Sequence, residues 1–165
     1  MILKGRAWKF GDNISTDHII PGRFYHLRSN LDELKQHVFE DIDPDFHKKV
    51  KKGDIIVAGK NFGLGSSREH APLVIKMVGI DAIVADSFAR IFYRNAINVG
   101  LAAIICDIED IDEGDMLEIR VDEGVLFDRT KEKEKRFSPL ISIMRDILHE
   151  GGLDRYIRKH GGLRI

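Results

Sequence analysis

The sequence predicts an α/β fold with a parallel layer, and two observations carry that prediction. Three short, almost continuously apolar runs, at 54–58, 80–85 and 101–106, are separated by segments of helical length. Strands covered on both faces read this way, whereas a strand with one wet face alternates. The run at 116–121 does alternate apolar with charged residues, Glu123-Gly124 follows as a turn, and Val125-Leu126-Phe127 reads as a return strand. An antiparallel hairpin is therefore expected beside the parallel strands. At 165 residues the chain has room for one ordinary core and not for two, so residues 1–165 are read as one domain.

In chain order, residues 2–10 mix apolar and basic side chains and fit a first strand. The stretch 11–22, with Asp12-Asn13, Thr16-Asp17-His18 and Pro21-Gly22, reads as a long ordered loop. Asn30 is placed as an N-cap with Glu33 at the capping-box position, and Leu31, Leu34, Val38 and Ile42 make one helical stripe ending near Asp43-Pro44. The strand at 54–58 delivers a glycine-rich loop and then a helix containing Pro72. Counted from a cap at Ser66, that proline falls past the first turn, where it would remove a needed N–H bond. A start near His70 accommodates it, with 66–68 as a separate tight turn; otherwise the helix is distorted there. Residues 88–99 read as a helix ended by Gly100, and 131–136 as a solvated hairpin tip. Ser138 is expected to cap the next helix, with Pro139 at its first position, apolar residues at 140, 143, 144, 147 and 148, and Gly151 at its end. A last short helix spans 153–160.

Chemistry concentrates in Gly59-Lys60-Asn61-Phe62-Gly63-Leu64-Gly65-Ser66-Ser67-Arg68-Glu69-His70. Glycines that expose peptide N–H groups, a helix start and a guanidinium describe an anion site for a carboxylate or phosphate. The loop is neither a P-loop, since Gly65 stands where the lysine should be, nor a dinucleotide fingerprint, since Arg68 stands at the third glycine. A plain capping box from Ser66 to Glu69 would account for those two residues, but it leaves Arg68 and the three glycines unexplained.

The segment from Asn61 to Ala71 resembles the swivel-domain signature of the aconitase superfamily. Asp12-Asn13-Ile14-Ser15-Thr16-Asp17-His18-Ile19-Ile20-Pro21-Gly22 is similar to that family's N-terminal substrate loop, and the stretch from Ser87 to Gly100 to its third block. In size the chain matches the small subunits that 3-isopropylmalate dehydratases and homoaconitases carry as separate chains. The resemblance implies a single swivelling β/β/α domain. It also implies roles: Ser66 as the base that removes a proton beside a substrate carboxylate, Ser67 and Arg68 as substrate-binding residues, and Asp17 as a member of the active site. The loop after Pro21-Gly22 selects the substrate in this family; here Phe24, Tyr25 and Leu27 would suit an isopropyl group, whereas Arg28 would pair an extra carboxylate.

In that family a [4Fe-4S] cluster and most other catalytic residues sit on a large subunit, and this chain's single cysteine, Cys106, supplies no ligand set. The resemblance therefore implies a hydro-lyase active only as a heterodimer or heterotetramer with a cluster-bearing large subunit. It would interconvert 2-isopropylmalate and 3-isopropylmalate through isopropylmaleate in leucine biosynthesis. One alternative is the small subunit of homoaconitase or of another aconitase-type hydro-lyase, acting on a tricarboxylate. Another, from a different class, is a stand-alone module that binds an anionic metabolite or a nucleotide.

A net charge of −1 with acids and bases interspersed gives no electrostatic hold on nucleic acid or anionic lipid. No apolar run reaches the roughly 18 residues of a spanning helix, and the first residues lack a signal-peptide core, so a cytoplasmic location is expected. The histidines show no metal-binding spacing, and no metal site is expected on this chain. Cys106, at the end of an apolar run, is read as a buried strand residue. Arg90 and Arg94 lie one turn apart on a helix where they could face a cleft, a partner or solvent, and they are not counted in the site.

Overall fold

The computed structural model describes residues 1–164. In chain order its elements are β1 (Ile2–Lys9), α1 (Thr16–Ile19), α2 (Leu31–Leu34), α3 (Phe46–Lys49), β2 (Ile55–Ala58), α4 (His70–Met77), β3 (Ala82–Ala85), α5 (Arg90–Asn98), β4 (Ala102–Ile105), β5 (Met116–Arg120), β6 (Val125–Asp128), β7 (Lys133–Arg136), α6 (Ser142–His149) and α7 (Leu153–His160). Turns of 3₁₀ helix add Gly22–Leu27 and Lys35–His37.

The strands form a seven-stranded sheet in the order β4-β3-β2-β1-β5-β6-β7. β1 is the seam between its two halves. Its end pairs in parallel with β2, Ala7 opposite Ile55 to Lys9 opposite Val57, while Ile2 to Arg6 run antiparallel to β5. β2, β3 and β4 continue the parallel half, each joined to the next by a helix. Every residue of β2 and β3 is buried. Because successive side chains point to opposite faces, that pattern means cover on both sides, as the uninterrupted apolar runs predict.

Four expectations are corrected. The stretch 11–22 is not all loop: Ser15 caps the single turn α1, its hydroxyl accepting from His18 N while the His18 ring bonds Ser15 N. The helix capped by Asn30 does form, but it ends as α2 and one 3₁₀ turn rather than running to Ile42. Tertiary packing outweighs its apolar spacing. Phe39 adopts φ 55° and is wholly buried, stacking on Phe10 at 4.7 Å and meeting Phe46 edge-on at 5.1 Å, which turns the chain out of the helix and leaves Ile42 exposed. Of the charged run at 131–136 only Lys131 and Glu132 lie in the hairpin turn, since Lys133–Arg136 pairs along β6 as the sheet's edge strand. Backbone pairing is indifferent to these side chains, and lysine-rich edges are ordinary. Ser138 caps nothing: Phe137 N still donates to Gly124 O, the chain stays extended past that point, and α6 starts at Ser142.

β5 also departs from simple alternation. Glu118, on the side expected to be wet, is nearly buried beneath Arg129, Arg120 and Lys4, whose cations lie 2.9, 3.1 and 3.5 Å from its oxygens. Burial opposes its charge, yet those partners prevail and hold its carboxyl below the usual carboxylate range. α4 begins at His70, so Pro72 falls in its first turn, where no intrahelical N–H bond is lost. Its N-cap is Glu69 without a side-chain bond, so the Ser66–Glu69 capping box is absent. Cys106 is buried as expected, and burial pushes its thiol up to about 11.

Candidate anion site at the strand ends

The three segments that carry chemistry each leave the carboxyl end of a parallel strand: 10–22 follows β1, 59–69 follows β2 and 86–89 follows β3. These strands are neighbours, so the segments must emerge side by side at the end of an α/β sheet where ligands characteristically bind. Backbone bonds then stitch them together. Gly63 N donates to Ile14 O at 2.7 Å, Thr16 N to Leu64 O at 2.9 Å, and Asn13 N to Lys60 O at 2.7 Å. On the other side Phe62 N donates to Ser87 O at 3.1 Å, Ala89 N to Phe62 O at 2.9 Å, and Asn61 N to Ser87 Oγ at 2.9 Å. The glycine loop lies between the other two like a third layer of irregular strand.

This close approach explains the glycines. Gly63 has φ 85°, and a Cβ there would stand 2.2 Å from Cγ of Phe92. A Cβ on Gly59 would fall 1.8 Å from Oδ1 of Asp12, the atom that accepts from Lys60 N.

Within this frame Thr16, buried at the start of α1, donates its hydroxyl to Ser66 O at 2.8 Å and fixes the backbone at the proposed base. Arg68 reaches back to the first segment. Its Nη1 donates to Ile20 O and lies 3.5 Å from Oδ1 of Asp17, and its side chain is only 16% exposed. The same Asp17 oxygen accepts from Gly22 N at 2.8 Å. Asp17 thus ties the guanidinium to the turn at Gly22, while His18 is turned away into the Ser15 cap.

Ser66, Ser67 and Arg68 line a pocket of about 220 Å³ whose far wall is the start of α5, Arg90 to Phe92, with Asn95. Ser67 and Arg68 also line a larger groove of about 600 Å³ that contains Tyr25, Arg28 and His70. The Arg28 guanidinium sits 4.6 Å over the Tyr25 ring and its Nη1 donates to Tyr25 O at 3.3 Å; the Arg68 guanidinium lies 5.9 Å from the same ring. Of the three apolar candidates in the substrate loop, only Tyr25 lines this groove. Phe24 stacks on His37 at 3.9 Å, and Leu27 packs against the core.

His70 has no role in the sequence reading. Its ring lies 5.6 Å from Tyr25, and its buried Nε2 has no hydrogen-bond partner. Burial, then the Arg68 and Arg28 charges, hold its pKa below the ordinary histidine value. Thr16 and Asn95 likewise have no role in that reading, and Arg90, weighed there and left out of the site, lines the pocket. No local pattern distinguishes a threonine that bonds a loop carbonyl from any other buried threonine, and the start of α5 is placed by sheet topology alone.

Among the described residues no group of three or more His, Cys, Asp or Glu side chains converges on a metal position, and no helix is long and apolar enough to cross a membrane.

Fold and site together define a small α/β domain whose loops bring serine hydroxyls and a guanidinium to one small pocket. The sequence profile of the aconitase C-terminal domain matches residues 6–107, which include all three convergent segments. The chain is 62% identical to "3-isopropylmalate dehydratase small subunit 2" of Archaeoglobus fulgidus, with 100% of both chains covered. It is 61% identical over 161 residues to a 3-isopropylmalate dehydratase small subunit of Thermotoga maritima, covering 97% of each. The crystal structure of a 3-isopropylmalate dehydratase chain from Methanocaldococcus jannaschii matches with a TM-score of 0.92 at 50% identity, covering 98% of this chain and 96% of that one. The chain belongs to the aconitase C-terminal domain family, in its branch of dehydratase small subunits.

Proposed function

We propose that this chain is the small subunit of a 3-isopropylmalate dehydratase, a hydro-lyase of leucine biosynthesis that interconverts 2-isopropylmalate and 3-isopropylmalate through isopropylmaleate. Residues 1–165 act as one swivelling domain that closes on a substrate held by a cluster-bearing large subunit in the cytoplasm. The supporting observation is the convergence of Ser66, Ser67 and Arg68 on one pocket, with Arg68 anchored by Asp17 and Ile20 O.

When bound by the large subunit, the [4Fe-4S] cluster supplies Lewis-acid chemistry at the substrate hydroxyl. Residues of this chain do not fit such a cluster, since the one thiol is buried and held protonated, so no step assigned here runs through it.

Ser66 Oγ takes the proton from the carbon beside the substrate carboxylate. A serine does this only where its alkoxide is stabilised by positive potential, and the pocket lining includes two cations and no carboxylate. Arg68 binds the substrate carboxylate. Its Nη1 is committed to Ile20 O, whereas Nη2 has no hydrogen-bond partner among the described residues, which leaves a donor for the incoming oxygen. Ser67 donates a second bond to that carboxylate. Asp17 keeps the guanidinium in register, and Tyr25, with Arg28 stacked on it, forms the wall that meets the isopropyl group.

The test is reconstitution of purified chain with its large subunit under anaerobic conditions. Ser66→Ala should lower kcat by several orders of magnitude and change KM little, because the base acts in the transition state. If kcat stays near normal while only the melting temperature falls, the base assignment is wrong.

A further inference from the structure

The wall of the Ser66 pocket opposite the glycine loop holds a cation that the roles above do not use. Four polar side chains in the lining, those of Ser66, Ser67, Arg90 and Asn95, make no hydrogen bond to protein among the described residues. The other two polar side chains are engaged, Thr16 by Ser66 O and Arg68 by Ile20 O and Asp17. Arg68 is therefore partly neutralised by its own anchor. Among the described residues Arg90 forms no ion pair, and no acidic side chain lines the pocket.

A cavity with an unengaged guanidinium and free hydroxyl and amide groups attracts a planar anion, since a carboxylate can accept from all of them. At about 220 Å³ the pocket is small. It lies below the roughly 300–1,000 Å³ of drug-sized sites, which suits a compact dicarboxylate and leaves no room for a nucleotide. Arg90 itself is exposed at the rim, so its charge approaches a ligand without first being desolvated.

We propose that Arg90 is a second carboxylate-binding residue of this site, acting with Arg68 on a small dicarboxylate whose reacting carbon faces Ser66. The identity of that dicarboxylate rests on the function proposed above; the anion site itself does not. Arg90 donates to the carboxylate from the α5 side and Arg68 from the loop side, so the substrate is gripped between two segments that leave neighbouring strands. Asn95, on the same wall, adds a neutral donor.

Two experiments separate this inference from the functional reading. In the reconstituted enzyme, Arg90→Ala and Arg90→Gln should each raise KM for 3-isopropylmalate by at least about tenfold, the usual worth of a charge-assisted bond, with kcat falling less than about threefold. Arg90→Lys should recover most of the loss. Arg94→Ala, on the same helix but outside the pocket lining, should leave both constants within twofold. A merely structural role would not give this division between KM and kcat or the lysine rescue.

The second experiment uses the full chain without its partner. Maleate titrated into isotope-labelled protein should shift the amide resonances of Ser66, Ser67 and Arg90, with at least fivefold weaker affinity in Arg90→Gln. Unchanged KM in Arg90→Ala, or equal maleate affinity in wild type and Arg90→Gln, overturns the proposal. If the wild-type pair shows no turnover, the functional reading fails and the maleate titration alone decides on Arg90.

Discussion

Gly63 combines φ 85° with a Cβ position only 2.2 Å from the Phe92 ring. Gly114 has almost the same φ, 86°, but open space around it. The pair isolates two costs. Gly114→Ala should lower stability by only about 1–2 kcal/mol, the left-handed penalty alone. Gly63→Ala must also displace Phe92, which packs edge-on against Phe62 at 5.3 Å and parallel to Phe88 at 6.4 Å, adding about 1–3 kcal/mol of overpacking. Denaturant unfolding of both variants checks the difference, and Gly63→Ala should also weaken turnover because the same ring backs the pocket. Arg28 poses a question of specificity. With its guanidinium on Tyr25, wild-type enzyme should prefer 3-isopropylmalate to homoaconitate and citrate, and Arg28→Ala should lower kcat/KM for 3-isopropylmalate by about tenfold or less without creating a new preference. A wild-type preference for a tricarboxylate that collapses in Arg28→Ala would overturn the substrate assignment.

At the scale of elements, the open end of the β5–β6 hairpin carries a carboxyl pair, Asp115 and Asp128. Asp128 is buried with its Oδ1 accepting from Thr130 N and Lys131 N, while its Oδ2 has no donor. Burial and then the neighbouring Asp115 raise its pKa above the ordinary value. Burial opposes charge on Asp115 too, but the Asp112 N–H, Asp128 and Lys131 outweigh it and hold that carboxyl low. Below that raised pKa the unsatisfied Oδ2 is the oxygen placed to hold a proton and donate it toward Asp115. The sign follows: between the ordinary and the raised pKa the folded state binds more protons than the unfolded one, so this pair's contribution to stability falls as pH rises through that window. Asp128→Asn puts a permanent donor in place of the proton and keeps Oδ1. It should stabilise the protein at pH 7 by on the order of 1 kcal/mol, with the gain vanishing below the ordinary aspartate range. Melting curves at pH 7 and pH 3.5 test it; a variant less stable than wild type at pH 7 would contradict the shared proton.

For the whole molecule, the chain alone should show no hydratase activity under any iron supplementation, since it holds one buried thiol, and adding the large subunit should create turnover. Activity from the isolated chain would sink the two-subunit reading. Much of this was legible in the sequence. The apolar runs at 54–58, 80–85 and 101–106 specified three parallel strands, because strands covered on both faces lack alternation; β2 and β3 are buried throughout, while the edge strand β4 leaves Ile105 exposed. Pro72 left either a start of α4 near His70 or a distorted helix from Ser66, and the structure takes the first. Ser66, Ser67 and Arg68, with Asp17 and Arg28, were singled out by residue chemistry and family pattern together, and the structure brings the first three onto one pocket lining. Tertiary structure alone decided the rest. The order β4-β3-β2-β1 set three distant segments side by side, the aromatic cluster around Phe39 broke a helix that its own spacing favoured, and the pairing of β7 made a strand of a charged run. Arg90 shares a pocket lining with Ser66 for the same reason: which helix start borders a loop depends on strand neighbours, and strand neighbours are long-range contacts that no local run of residues encodes.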